Sequence, residues 1–212
     1  MKRVALVPVL LLVLAGCGGG PTVTQTRDLA PYTALDVEGG ANVDVVPGDS
    51  QAVVVTGGKE VIDRVRTVVE DGRLHISIKD HGIVIGSDPF DDVRIKVAAG
   101  ALDTIQVQGA GDLNLGRIDR DKLTILVQGG ADIDASGTVD DLVLQIEGAG
   151  DANLGGLEAR TARVAVEGAG DADLNVSDEL DVSIEGAGDV SYRGNPSVRQ
   201  RVEGAGDVRP AD

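Results

Sequence analysis

Aromatic side chains are almost missing from this chain: among 212 residues there are one Phe, two Tyr and no Trp, and the single Met is residue 1. That excludes a core of large rings, and it removes the surfaces on which bases or sugars stack. Basic residues are also scarce, 19 Lys+Arg against 35 Asp+Glu, giving a formal net charge of -16. Such a chain repels phosphate backbones and anionic headgroups, so nucleic acid is excluded as a partner. One cysteine excludes an internal disulfide. What is abundant is Val, Leu, Ile and Ala, within a 42% hydrophobic fraction, together with 30 Gly. Small branched side chains in regular order suit strands better than helices, and the length suffices for one sizeable core.

The lone cysteine stands in "MKRVALVPVLLLVLAGC". Lys2 and Arg3 precede an apolar run from Val4 to Leu14, too short to span a bilayer comfortably, and small residues follow. This is the order of a secretory signal peptide. Its ending, Leu14-Ala15-Gly16-Cys17, resembles the lipobox of bacterial lipoproteins, which implies cleavage after residue 16 and lipid attachment at Cys17. Loss of residues 1–16 removes two basic residues and no acid, leaving 17 against 35, a balance of -18. Residues 17–27, with Gly18 to Gly20, read as a lipidated cysteine and flexible tether. The protein is thus expected in the bacterial cell envelope, as a lipoprotein anchored to a membrane by the lipid on Cys17.

Beyond the tether one word recurs: "VQGAGDLNL" at 107, "VQGGADIDA" at 127, "IEGAGDANL" at 146, "VEGAGDADL" at 166, "IEGAGDVSY" at 184 and "VEGAGDVRP" at 202. Its first glycines, Gly109, Gly129, Gly148, Gly168, Gly186 and Gly204, are 18 to 20 residues apart. A fixed period of that size marks a stack of repeats, each buried against its neighbours. Before each glycine the residues alternate, as in Leu142, Leu144, Ile146, then Ala162, Val164, Val166, then Leu180, Val182, Ile184. A second alternation follows, as in Leu113 and Leu115, Ile133 and Ala135, Ala152 and Leu154. Period two on both sides predicts strand, turn, strand. A looser third segment, "GRIDRDK", "SGTVDD" or "GGLEART", offers one inward residue each: Ile118, Val139 or Leu157. The expectation is an all-β, right-handed parallel β-helix with 18–20 residues and three faces per turn. Gly109, Gly111, Gly129, Gly148, Gly150, Gly168, Gly170, Gly186, Gly188, Gly204 and Gly206 are its structural turn glycines. They would serve where the bend needs positive φ or stacked backbones approach closely. A dinucleotide cradle would require the glycines to open a helix, whereas a strand follows.

Residues 28–212 are expected to form a single domain, irregular over 28–92 and regularly coiled over 93–210. "KEVIDRVRTVVEDG" (59–72) reads either as a short amphipathic helix or as an irregular turn, and "HGIVIGSDPFDD" as an exposed loop. The order "LDVEGGANVDVVPGDSQAVVVTGGKEVIDRVRTVVEDGRLHISIKD", then "DDVRIKVAAGALDTIQVQGAGDLNL", then further GAGD-like turns, resembles the "putative auto-transporter adhesin, head GIN domain" family across residues 28 to 208. The resemblance implies an exported or lipid-anchored β-helix with an adhesin-like role, and it supplies no catalytic residue. Ala101 stands where that pattern would carry a proline before the leucine.

Stacking would align Gln108, Gln128, Glu147, Glu167, Glu185 and Glu203 in one column and Asp112, Asp132, Asp151, Asp171, Asp189 and Asp207 in another. Unit charges about 4.8 Å apart repel by about 1 kcal/mol in water. Each Asp could accept backbone N–H groups of its own turn, or calcium could bridge successive carboxylates. In most copies the Asp follows the second glycine directly, unlike the order in calcium-loaded nonapeptide repeats, so capping is the expected role and neither a metal site nor any cofactor is assigned. The acids are spread evenly, His75 and His81 read as exposed residues flanking a hairpin end, and Ser177 and Ser183 have no nearby His in sequence, so no catalytic residue is assigned. The expected function is a non-catalytic, adhesin-like binding module or scaffold, the membrane its partner through Cys17 and a cell-surface glycan or protein its ligand. A calcium-binding β-solenoid and a polysaccharide-acting β-helix enzyme are the alternatives. The least acidic columns, Gln106, Leu126, Gln145, Ala165, Ser183, Arg201 and Thr104, Thr124, Val143, Arg163, Asp181, Arg199, mark the face on which to seek the ligand.

Overall fold

The computed structural model describes residues 10–14, 22–48, 51–78 and 93–211. Cys17, His81 and the loop expected around residues 81–92 lie outside them. The described chain is all-β apart from one helical turn. In order it runs β1 (Leu10–Leu14), β2 (Thr22–Asp28), β3 (Ala34–Gly40), β4 (Asn42–Pro47), β5 (Ala52–Gly58), α1 (Lys59–Ile62), β6 (Val65–Glu70) and β7 (Arg73–Ile78). There follow β8 (Arg94–Ala99), β9 (Thr104–Gly148), β10 (Ala152–Gly168), β11 (Ala172–Gly186), β12 (Val190–Arg193), β13 (Ser197–Gly204) and β14 (Val208–Pro210).

Three tracks of parallel pairing cross the repeats. On the first, Gly39 pairs with Gly109, and Gly148, Gly168, Gly186 and Gly204 follow in register. On the second, Val43 pairs with Leu113, and Ile133, Ala152, Ala172, Val190 and Val208 are in register. Val139, Ala159 and Val176 make the third. The inward residues of every track are buried: Leu144, Val164 and Val182 on the first, Leu154 and Leu174 on the second, Val139 and Leu157 on the third. Each such side chain withdrawn from water contributes about 1.5–3 kcal/mol. Small aliphatic residues serve here because equivalent atoms recur at the strand spacing of about 4.8 Å.

The N-terminal part is built differently, and the sheet as a whole is mixed. β1 pairs antiparallel with β2, β2 with β5, β5 with β8 and β6 with β7. Two expectations change. β8, assigned to the regular coil from residue 93, pairs parallel with β4 and antiparallel with β5, so the regular repeat starts at β9. β2, read as tether, is a sheet strand with Val23 buried. Alternation specifies a strand but carries no information on the direction of its neighbour. The undecided segment 59–72 contains both the helical turn α1 and strand β6. Asp71 and Gly72, at φ 50° and 75°, close the β6–β7 hairpin, as the Asp-Gly pair favours.

Two clasps bind this region. The Arg27 guanidinium donates to the carbonyls of Val65 (2.7 Å) and Ile62 (3.3 Å) and to Thr67 Oγ1 (3.1 Å), tying β2 to α1 and β6. Burial lowers its pKa from the ordinary value. Tyr32 is 1% exposed, its hydroxyl donates to the Ala98 carbonyl at 2.9 Å, and Gln51 brackets its backbone at 2.7 and 3.0 Å. At the opposite end the core column Leu180, Val182, Ile184 continues as Val198, Gln200, Val202. An exposed glutamine in a core column, and Pro210 in the last strand, close the stack with polar and non-donating groups.

Burial pushes the Tyr32 phenol from 10.0 up to about 12. A raised phenol pKa favours the neutral folded form below pH 10, and that advantage is lost as pH rises through about 12. Urea melts between those limits should show stability falling with pH more steeply for the wild type than for Tyr32→Phe. Equal slopes would assign the alkaline loss to other groups.

Candidate functional site: a glycine–aspartate corner and an open sheet face

Gly148 shows what the repeated corner requires. Its φ is 135°, and a Cβ there would overlap the carbonyl oxygen of Gly129 in the turn below. That oxygen is held in place because it accepts the Ala149 N–H at 2.8 Å. The first glycines of the six words share φ values of 127° to 139°. The second glycines, Gly111, Gly150, Gly170, Gly188 and Gly206, likewise lie against a carbonyl oxygen of the turn below. The position between them is open: a Cβ at Gly130 meets nothing within 4 Å, and alanine occupies the equivalent place in the other words.

The Asp column forms a ladder between turns. The backbone N–H of Asp151 donates to Asp132 Oδ1 (3.3 Å), that of Asp171 to Asp151 (2.9 Å), that of Asp189 to Asp171 (2.7 Å), and that of Asp207 to Asp189 (3.0 Å). At the start Asn42 Oδ1 accepts from Asp112 at 3.1 Å. The carboxylates of Asp132, Asp151, Asp171 and Asp189 therefore cap the following turn, where their own turns were expected. The reason is geometric: stacking brings the N–H of the next turn within reach of the side chain. A charge-assisted bond of this type offsets repulsion between rungs. Near the C-terminal end Arg209 lies 3.3 Å from Asp189 and 4.0 Å from Asp207, and Arg193 lies 3.2 Å from Asp173. Among the described residues no group of three or more His, Cys, Asp or Glu side chains is placed to hold a metal ion. The neighbouring Glu column is relieved by amides, with Gln128 and Gln145 donating to the two oxygens of Glu147 at 2.8 and 2.7 Å.

The first track presents an open face of stacked strands, from β6 and β7 through β3 and the repeats to β13. Register places Val143, Arg163, Asp181 and Arg199 in one outward column and Gln145, Ala165, Ser183 and Arg201 in the next. Around Arg163 and Arg199 lies a depression of about 350 Å³ that also takes in Lys122, Asp141, Arg160 and Asp181. Arg201 is neutralised on its own strand by Glu203, whereas Arg163 and Arg199 are held in no ion pair among the described residues.

His75 is placed differently from its expected position at a hairpin end. It stands within β7 opposite Asp36 of β3, with Nδ1 3.1 Å from Asp36 Oδ2. Asp36 is 8% exposed, and its Oδ1 finds no hydrogen-bond partner among the described residues. No local signal could reveal this pair, because its members are joined only by parallel pairing across a long separation. The carboxylate orients the imidazole, which shares a shallow pocket of about 200 Å³ with Glu38, Arg66, Glu70 and Ser77. Ser177 bonds Asp178 at 2.8 Å and Ser183 lies on the open face, each away from His75.

These features define an all-β protein of stacked strands cornered by glycine and capped by aspartate. The family "putative auto-transporter adhesin, head GIN domain" matches residues 31–196, and the chain belongs to it. Solved structures share the fold. One of a putative adhesin from Bacteroides fragilis superposes with a TM-score of 0.71 at 20% identity, covering 90% of this chain and 97% of the other. A putative adhesin from Parabacteroides merdae gives 0.56 at 20% identity, covering 92% and 98%. A putative lipid binding protein from Parabacteroides distasonis gives 0.53 at 19% identity, covering 90% and 97%. No curated protein matches the sequence. Among the described residues no helix is long and apolar enough to cross a membrane.

The corner yields paired tests by urea denaturation. Gly168→Ala should cost at least the ~1–3 kcal/mol of a forbidden backbone region, whereas Gly130→Ala should stay within about 0.5 kcal/mol. On the ladder, Asp171→Ala should cost about 1 kcal/mol by leaving the Asp189 N–H without its acceptor. Asp171→Asn keeps an oxygen there and should be close to neutral. Equal loss from Ala and Asn would show that the charge, and not the acceptor, matters.

Proposed function

We propose that this protein is a lipid-anchored, adhesin-like binding module of the bacterial cell envelope, a single domain from about residue 28 built as a right-handed parallel β-helix. The observation that carries the reading is the open face of the first track. Its core side repeats small aliphatic residues, while its outer columns change from turn to turn and expose Arg163 and Arg199 on a chain of net charge -16. Rigid stacked strands hold such side chains at fixed spacings, which suits recognition of a surface glycan or protein. Membership of a family named for adhesins and the adhesins among its structural relatives support the same role. The three-track pairing and the period of 18 to 20 residues support the β-helix.

Anchoring rests on the lipobox-like ending at Cys17. Cleavage there would remove β1 and leave β2 as the sheet edge, with β5 still holding it. The module performs no chemistry on its ligand: it holds it, with the coil as a rigid arm and the lipid as the foot.

Cys17→Ser should move the protein from the membrane fraction to the soluble fraction of the envelope, and retention on the membrane would overturn lipid anchoring. An epitope tag after Asp212 should be reached by antibody on intact cells. Labelling only after permeabilisation would remove the adhesin role and leave an internal envelope function. Arg163→Glu with Arg199→Glu should weaken cell adherence without changing the melting temperature.

A further inference from the structure

We propose that a second surface, a groove at the corner between the third and first tracks, binds a neutral, hydroxyl-rich glycan chain. This rests on the reading of the protein as a binding module and assigns it a ligand class. The groove encloses about 790 Å³ and runs from Asp103 past Asp119 and Thr138 to Glu158 and Ser177. It crosses four turn spacings of about 4.8 Å, roughly 19 Å in all, enough for a short oligosaccharide laid along the stack. Its floor is the small, buried pair Val139 and Ala159.

The walls, like the outer columns of the sheet face, change from turn to turn, unlike the corners. At the corners like stacks on like, because packing admits nothing else. In the groove, Thr138, Glu158 and Asn175 are in register and share neither size nor charge. Packing does not call for that sequence of side chains, since all point outward from a core already closed by Val139, Ala159 and Val176. Side-chain variety without a packing demand is what a recognition surface carries.

The chemistry selects the ligand. Lys122 and Arg160 line the groove together with Asp119, Asp140 and Glu158, so it holds donors and acceptors side by side. Arg160 is half exposed and forms ion pairs with Asp140 at 3.7 Å and Asp141 at 3.6 Å, both beyond hydrogen-bond length, so a ligand hydroxyl can accept its N–H groups without breaking a hydrogen bond. Thr138 Oγ1 meets Asp119 at 3.3 Å, a long contact that a ligand hydroxyl can replace. Vicinal hydroxyls donate and accept together, and they match a surface holding fixed carboxylates and guanidinium side by side. A polyanion is repelled by the net charge of -16. A peptide would lack the apolar anchor pockets on which its affinity depends.

The test uses the chain from Cys17 onward and titrates maltohexaose, cellohexaose, xylohexaose and mannohexaose by calorimetry. At least one should bind, and Arg160→Ala and Asp140→Asn should each weaken it by about tenfold, the loss of one charged hydrogen bond. Both side chains are exposed, so their melting temperatures should match the wild type. Absence of binding to all four sugars overturns the groove, and does so separately from the adhesin-like reading when intact cells still label. Binding kept at full strength in both Arg160→Ala and Asp140→Asn also overturns it, because the sugar then sits elsewhere on the coil.

Discussion

Backbone lying on backbone at the glycine corner is the constraint on which the rest depends. Gly148 rests on the Gly129 carbonyl, and the same contact recurs at Gly168, Gly186 and Gly204. Because a methyl group cannot enter, the turns approach to strand spacing at the corner as well as along the strands. That closeness brings the inward Val, Leu and Ile into continuous columns and leaves no gap for larger rings to fill. The scarcity of aromatics is a consequence of regular stacking: side chains that must repeat at one spacing need to be small and alike.

The same closeness creates the main electrostatic problem of the fold and supplies its answer. Stacking sets Asp above Asp, yet it also sets the next N–H above each carboxylate, and those bonds of 2.7 to 3.3 Å replace solvent around one oxygen. In the Glu column, Glu147 is relieved by Gln128 and Gln145 instead, and Glu203 by Arg201. An acidic exterior is thereby compatible with a tight stack. Basic side chains then matter individually: Arg193 and Arg209 quiet the Asp side, Arg160 pairs with Asp140 and Asp141, and Arg163 and Arg199 remain to meet a partner.

Repetition and variation divide the protein into parts with different duties. Corner and core columns repeat because each turn must satisfy the turn below. The open face and the groove vary because solvent makes no such demand. The N-terminal part has no repeating neighbour on its outer side, so antiparallel strands cover it, and Arg27 and Tyr32 pin those strands with bonds to backbone carbonyls. At the other end Gln200 and Pro210 finish the stack in polar fashion.

Period, alternation and the Gly-Ala-Gly-Asp words were legible without coordinates. They determined that the chain is β, which side chains face inward, and that corners recur every 18 to 20 residues. These are local properties, since backbone sterics and strand geometry act over a few residues. The direction of β5 and β8, the recruitment of β2 and the bond from each Asp to the following turn were decided only in three dimensions. So was the meeting of His75 with Asp36. Alternation is the same for a strand of either direction, and a hydrogen bond between residues far apart in sequence exists only once tertiary packing sets which groups lie within reach.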